Sequence, residues 1–150
     1  RSEHKGKALF EHLVKALPEW RFETLNCAPA DVPDRMRQGA AFLHLSRYEG
    51  NSIVCNEAMA MNLPCLFTRV GLMNDGEDLD VSIVESEDVY GPRDRMVETV
   101  KTFLDGLATR SYTPRRWTME NATPEAHVAA WHKVMTDFSQ RAGWNLELDQ

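Results

Sequence analysis

AAFLHLSRYEGNSIVCNEAMAMNLPCLFTRV, residues 40–70, changes its pattern twice within thirty-one positions. Residues 40–46 are apolar on both faces except for His44, which is how a strand covered by helices on both sides reads. RYEGN then supplies a polar, glycine-containing turn, and Ser52 is a natural N-cap for a helix that begins at about Ile53. Pro64 opens a second strand, residues 64–70. A strand, a helix and a further strand at this spacing form a βαβ unit, so the sheet is expected to be parallel and the turn to lie at its carboxyl edge, where open α/β sheets bind ligands.

The same alternation extends in both directions. KGKALFEHLVKAL places Leu9, Phe10, Leu13, Val14 and Leu17 at helical spacing, so residues 5–17 are expected to be a helix closed by Pro18. Residues 20–27, WRFETLNC, read as a strand, and DVPDRMRQ as a short helix opened by Asp31. After residue 70 come a polar loop, GLMNDGEDLD, and a strand, VSIV. A helix over 92–107 carries Met96, Val97, Val100, Phe103, Leu104 and Leu107 on one face. Thr123 and Pro124 open a last helix with Val128, Trp131, Met135 and Phe138 on its stripe, and both of these helices are expected to pack on the sheet. The fold class is therefore α/β, a Rossmann-like parallel sheet with helices on both faces and about five or six strands, of which the first could precede Arg1. Residues 1–150 read as one domain, and an opening helix pattern directly after Arg1 suggests a piece excised from a larger protein. GWNLELDQ, residues 143–150, reads as a tail.

Composition narrows the function. The formal charge of −6, from 17 basic and 23 acidic residues, offers no basic face for a nucleic-acid backbone. Cys27, Cys55 and Cys65 are odd in number and lack metal-ligand spacing, which favours a reducing, cytoplasmic setting. No stretch is long enough to span a membrane, so peripheral contact could come only through parts outside this chain. There is no Ser/His/Asp arrangement and no Gly-rich phosphate loop.

What remains is the turn. The first amides of a helix have no internal partner and carry part of the helix dipole, so the backbone at Ser52, Ile53 and Val54 is suited to a phosphate. Glu49 stands at the rim of that mouth. Glu57 lies about a turn and a half into an otherwise apolar helix, where it must be exposed, paired or held for a ligand whose hydroxyls donate to it. A ribose diol is such a ligand; dipole stabilisation of an acidic residue near a helix start is the plainer explanation. His44 reads as a core histidine, Arg47 as a surface arginine at the turn, and Trp117 and Trp131 as structural.

SRYEGNSIVCNEAMAMNLPCLFTRVG resembles the E-x7-E segment of retaining glycosyltransferases of family four, which have the two-domain GT-B fold. Ser46, Glu49, Gly50, Glu57, Ala58, Met59, Ala60, Pro64 and Gly71 fall in register, while Asn51-Ser52 replaces the usual Phe-Gly and Asn62 the usual Gly. RSEHKG resembles the family's Arg…Lys-Gly element through Arg1 and Lys5. The resemblance runs from Arg1 to about Val84. It implies a nucleoside-diphosphate sugar as donor, with Glu57 on the ribose and Glu49 on the transferred sugar. Gly50, Asn51, Ser52, Ile53, Val54 and Gly71 would line the donor site. Arg1 and Lys5 would neutralise the leaving diphosphate, so no metal ion and no other cofactor is expected. The chain would then be the donor-binding half of the enzyme, lacking its N-terminal acceptor-binding domain and transferring little by itself. A non-catalytic nucleotide-binding or scaffold domain of the same fold is the alternative.

Overall fold

The computed structural model describes residues 6–143. Arg1, Lys5 and all but the first residue of the expected tail lie outside them. The helices are α1 (Lys7–Ala16), α2 (Val32–Met36), α3 (Ile53–Ala60), α4 (Ser86–Val89), α5 (Arg93–Asp105), α6 (Pro114–Asn121) and α7 (Pro124–Ala142). The strands are β1 (Phe42–His44), β2 (Cys65–Thr68) and β3 (Ser82–Val84), and Gly71–Asp78 winds as a 3-10 helix between β2 and β3. All pairing among the described residues is parallel, in the order β1-β2-β3, with His44 opposite Phe67 and Thr68 opposite Val84.

β2 is buried along its whole length, and its alternating side chains feed two cores. Leu66 joins Leu9, Leu13 and Leu17 of the α1 segment, Val84, and Met96, Val100, Phe103 and Leu104 of α5. On the other face Cys65 and Phe67 meet Met36, Cys55, Ala58, Met59, Met73 and Leu79. Helices therefore cover both faces, as a strand apolar on both sides requires. Burial, and then the neighbouring Cys55, push the Cys65 thiol up; no cysteine is in a disulfide. No described helix is long and apolar enough to cross a membrane.

Three expectations need correcting. Residues 20–27 form no strand: Trp20 and Phe22 pack on the α1/α5 core and Leu25 on the other, while the backbone between them joins no ladder among the described residues. Aromatic content marks a segment that wants burial, and side-chain contacts alone meet that need. The described sheet accordingly has three short strands rather than five or six. The stripe of α7 is not against the sheet either: Trp131 and Phe138 are 57% and 51% exposed, and Val128 and Met135 are exposed beside them.

α3 is closed just beyond its end by Asn62, whose φ of 60° is left-handed. Leu63 N–H donates to Ala58 O at 3.1 Å and Asn62 N–H to Met59 O at 2.8 Å, the double closure of a Schellman motif. The Asn62 side chain also works across the fold: Nδ2 donates to Tyr112 O at 3.3 Å, and Oδ1 accepts from the Arg115 amide at 3.3 Å. The start of α6 is thereby moored to the end of α3.

Asp80, with φ 48°, ties the chain after the 3-10 helix to the same α6 segment. Its carboxylate accepts from the Thr113 hydroxyl at 2.7 Å and from the Thr113 amide, with Arg110 close by at 3.6 Å. Burial pushes the Asp80 carboxyl up, but the Thr113 hydroxyl and amide and the Arg110 charge outweigh it and hold the group below its usual value. A depressed folded value stabilises the protein above the unfolded carboxyl's pH of about 4 and loses that contribution as pH falls through the folded value. Asp80→Asn keeps a residue that tolerates the left-handed backbone while removing the charge. It is expected to cost about 1–2 kcal/mol at pH 7 and to flatten the acid limb of a pH series of thermal melts. Equal melting temperatures of the two proteins at pH 7 would contradict this.

Candidate active site

The carboxyl ends of β1 and β2 carry the turn and the helix start that the sequence singles out. Ser52 stands at the N-cap position of α3 with an extended backbone, yet its hydroxyl makes no capping bond. The amides of Ser52, Ile53 and Val54 have no acceptor among the described residues. Three donors therefore converge where the helix dipole is positive. Ile53, 75% exposed, leaves this end of the helix open to solvent. Asn51 and Asn56 are joined by a hydrogen bond of 2.9 Å, which links the turn to the body of the helix.

Glu49 is fixed rather than loose at the rim. Ser46 Oγ donates to its Oε1 at 3.0 Å, and His44 Nε2 lies 3.3 Å from the same oxygen. The His44 and Glu49 side chains are only 14% and 18% exposed. Beneath them is a crevice of about 10 Å³, lined by Ser52, Cys55, Phe67, Thr68 and Leu72 among others. That is room for about one water molecule, too little for a sugar ring.

Gly71 sets the height of the turn. Its φ is +56°, and a Cβ there would stand 1.9 Å from the Gly50 carbonyl oxygen and 2.6 Å from that of Glu49. Leu72 N–H donates to the same Gly50 oxygen at 3.0 Å. The chain leaving β2 is thus pressed onto the turn and bonded to it. Gly50 itself has open space where a Cβ would go, so the carbonyl it offers, not its lack of a side chain, serves this contact. Gly6 makes a similar approach from α1: with φ +74°, its missing Cβ would be 3.0 Å from the Leu45 carbonyl, which brings the start of α1 to the end of β1.

Glu57 is half-buried on the second turn of α3, and its side chain makes no hydrogen bond or ion pair among the described residues. It follows Ile53 by four residues and so shares that helix face; it does not line the crevice at Glu49. The two carboxylates occupy separate positions around the helix start rather than one cavity. Arg47 stacks its guanidinium on Tyr90 and Tyr48, 5.0 and 5.7 Å from the ring centroids. An open groove of about 620 Å³ runs from Asn51, Asn56 and Leu72 to Trp117 and the first turn of α7. Among the described residues no group of three or more His, Cys, Asp or Glu side chains is placed to hold a metal ion.

Glu49, Gly50, Asn51, Ser52, Ile53, Val54 and Gly71, singled out from the sequence, lie together around one turn and helix start. Sequence reasoning did not connect His44 with Glu49. The available signal was one polar residue in an apolar strand, ending at the same sheet edge as the turn; the histidine lies within ion-pair range of the candidate site's own carboxylate. The family model described as "Glycosyl transferases group 1" matches residues 5–102, from the start of α1 into α5. No curated protein sequence matches the chain.

Proposed function

Because this chain belongs to the group 1 glycosyl transferases, we propose that it is the donor-binding half of a retaining, family-four enzyme that moves a hexose-type sugar from a nucleoside diphosphate to an acceptor hydroxyl. The observation that carries this reading is the open start of α3, three unpartnered amides beside a carboxylate whose side chain is already held. The diphosphate sits on the amides of Ser52, Ile53 and Val54, Glu57 accepts from the ribose hydroxyls, and Glu49 accepts from hydroxyls of the transferred sugar. Asn51, Gly50 and Gly71 shape the rim.

In the transfer step the acceptor oxygen bonds to the anomeric carbon as the bond from that carbon to the diphosphate oxygen breaks. Attack comes from the leaving-group side, and the departing phosphate oxygen takes the acceptor's proton. Negative charge grows on the diphosphate during this step, so fixed donors aimed at it favour the transition state over the ground state. Arg1 and Lys5 add positive charge to the same group, and no metal ion is assigned. An acceptor-binding domain on another part of the protein completes the cleft.

Calorimetry on this chain with a panel of nucleoside diphosphates and nucleotide sugars tests the reading. The wild type is expected to bind at least one of them. Glu57→Ala removes a charge-assisted acceptor, an interaction of about 1.5–3 kcal/mol, so affinity should fall about ten- to a hundredfold. Equal binding by both proteins, or binding by neither, counts against the assignment.

A further inference from the structure

We propose that His44 is a positioning residue for transfer: it holds the Glu49 carboxylate at the angle at which the sugar is received. The inference rests on the role of Glu49 given above and adds to it a residue outside the turn and outside the helix start.

The geometry separates two tasks. The backbone of the turn is already secured, by Gly71 packed on Gly50 and Glu49 and by the bond from Leu72 N–H to Gly50 O. His44 is not needed for that. What the backbone leaves undetermined is the Glu49 side chain, whose terminal torsion is broad and roughly two-fold for a free carboxylate. Two side chains converge on one oxygen, Oε1: Ser46 Oγ, which donates to it at 3.0 Å, and His44, whose Nε2 lies 3.3 Å away. Two contacts on one oxygen restrict how the group can turn. With the proton on Nε2 the imidazole donates, since a carboxylate can only accept.

His44 is itself well held. It is the last residue of β1, paired opposite Phe67, and its ring stacks on Phe42 with centroids 6.4 Å apart and planes 24° from parallel. The crevice that both side chains help to line holds only about 10 Å³. A side chain supported in this way by strand and packing can hold a second side chain within the few tenths of an ångström that group transfer demands, and a misplacement of about 1 Å can cost about a hundredfold in rate.

Glutamine and asparagine at position 44 distinguish positioning from packing. The Gln amide nitrogen can stand where His Nε2 does, whereas the Asn amide ends near Nδ1 and falls short of Glu49. In the full-length enzyme, His44→Asn is expected to lower kcat about ten- to a hundredfold, with the donor KM changed less than about threefold, and His44→Gln to restore most of that loss. Neither should alter the affinity for the nucleoside diphosphate without its sugar. In a Glu49→Ala background, His44→Asn should lower kcat no further, because its effect passes through Glu49. Wild-type kcat in His44→Asn, equal impairment of the Asn and Gln variants, or a loss that adds to that of Glu49→Ala would each overturn the proposal. If His44→Asn does not fold, equal kcat for His44→Gln and wild type upholds the proposal, and a His44→Gln enzyme that folds but is impaired tenfold overturns it. Wild-type turnover in Glu49→Ala alone is a different failure, since it removes the role of Glu49 and with it the reading on which this proposal stands.

Discussion

Gly71→Ala is expected to be the most damaging small substitution in the chain, costing about 2–5 kcal/mol. Two penalties add. A left-handed backbone costs an L-residue about 1–2 kcal/mol, and the added methyl overpacks a filled site, which typically costs about 1–3 kcal/mol. Here the obstacle is backbone: the Cβ would stand 1.9 Å from Gly50 O, 2.8 Å from Gly50 C and 2.6 Å from Glu49 O. No rotamer change clears it, so the Glu49–Gly50 peptide or the chain leaving β2 must move, and the bond from Leu72 N–H to Gly50 O is strained with it. A domain of this size is stable by about 5–15 kcal/mol in all. Urea unfolding followed by far-ultraviolet circular dichroism should therefore show the midpoint falling by about 1 M or more, and nucleotide-sugar binding should weaken even where the fold survives. Gly50→Ala is the control, because a methyl group there would meet nothing within 4 Å. A wild-type midpoint in Gly71→Ala would show that the turn and the β2 exit are not clasped together.

Glu49→Ala carries the second large effect, this time on chemistry. If Glu49 receives hydroxyls of the transferred sugar, its removal deletes one or two charge-assisted hydrogen bonds of about 1.5–3 kcal/mol each. Ser46 and His44 also lose their common acceptor. The full-length enzyme is expected to lose about a hundredfold or more in kcat/KM, with the nucleoside diphosphate lacking the sugar still bound as tightly as before. That pairing of outcomes separates a transferase from a scaffold domain that only binds nucleotide. In a scaffold there is no turnover to lose, and a sugar-bearing ligand would gain nothing from Glu49. Equal transfer by wild type and Glu49→Ala would remove this carboxylate from the mechanism.

Local periodicity carried much of the fold. The apolar spacing of residues 5–17 and 92–107 anticipated α1 at Lys7–Ala16 and α5 at Arg93–Asp105, and the Ser52 signal placed the start of α3. These are short-range properties, set by capping and by a single apolar stripe. WRFETLNC misled because a strand is a property of two segments, and whether a partner lies alongside is not written in either one. The α7 stripe has the same ambiguity in another form: a row of apolar residues specifies a face to be covered but not the surface that covers it. At the site, the register of Glu49, Gly50, Glu57 and Gly71 was visible in sequence. The contact of Gly71 with the turn, and that of His44 with Glu49, arise from where β1 and β2 end relative to one another and could not be read from either stretch alone.

Asn62 answers to more than its own backbone. Judged by its φ of 60° the position invites glycine, and glycine would relax the backbone. Its amide group, however, moors Tyr112 and Arg115, fifty and fifty-three residues further along. Glycine here would ease the backbone and lose a long-range anchorage, leaving the bond from the Arg115 guanidinium to the Ala60 carbonyl to link α6 to α3. The exit of one helix and the seating of a distant one are thus inherited together, as a single genetic unit one codon wide.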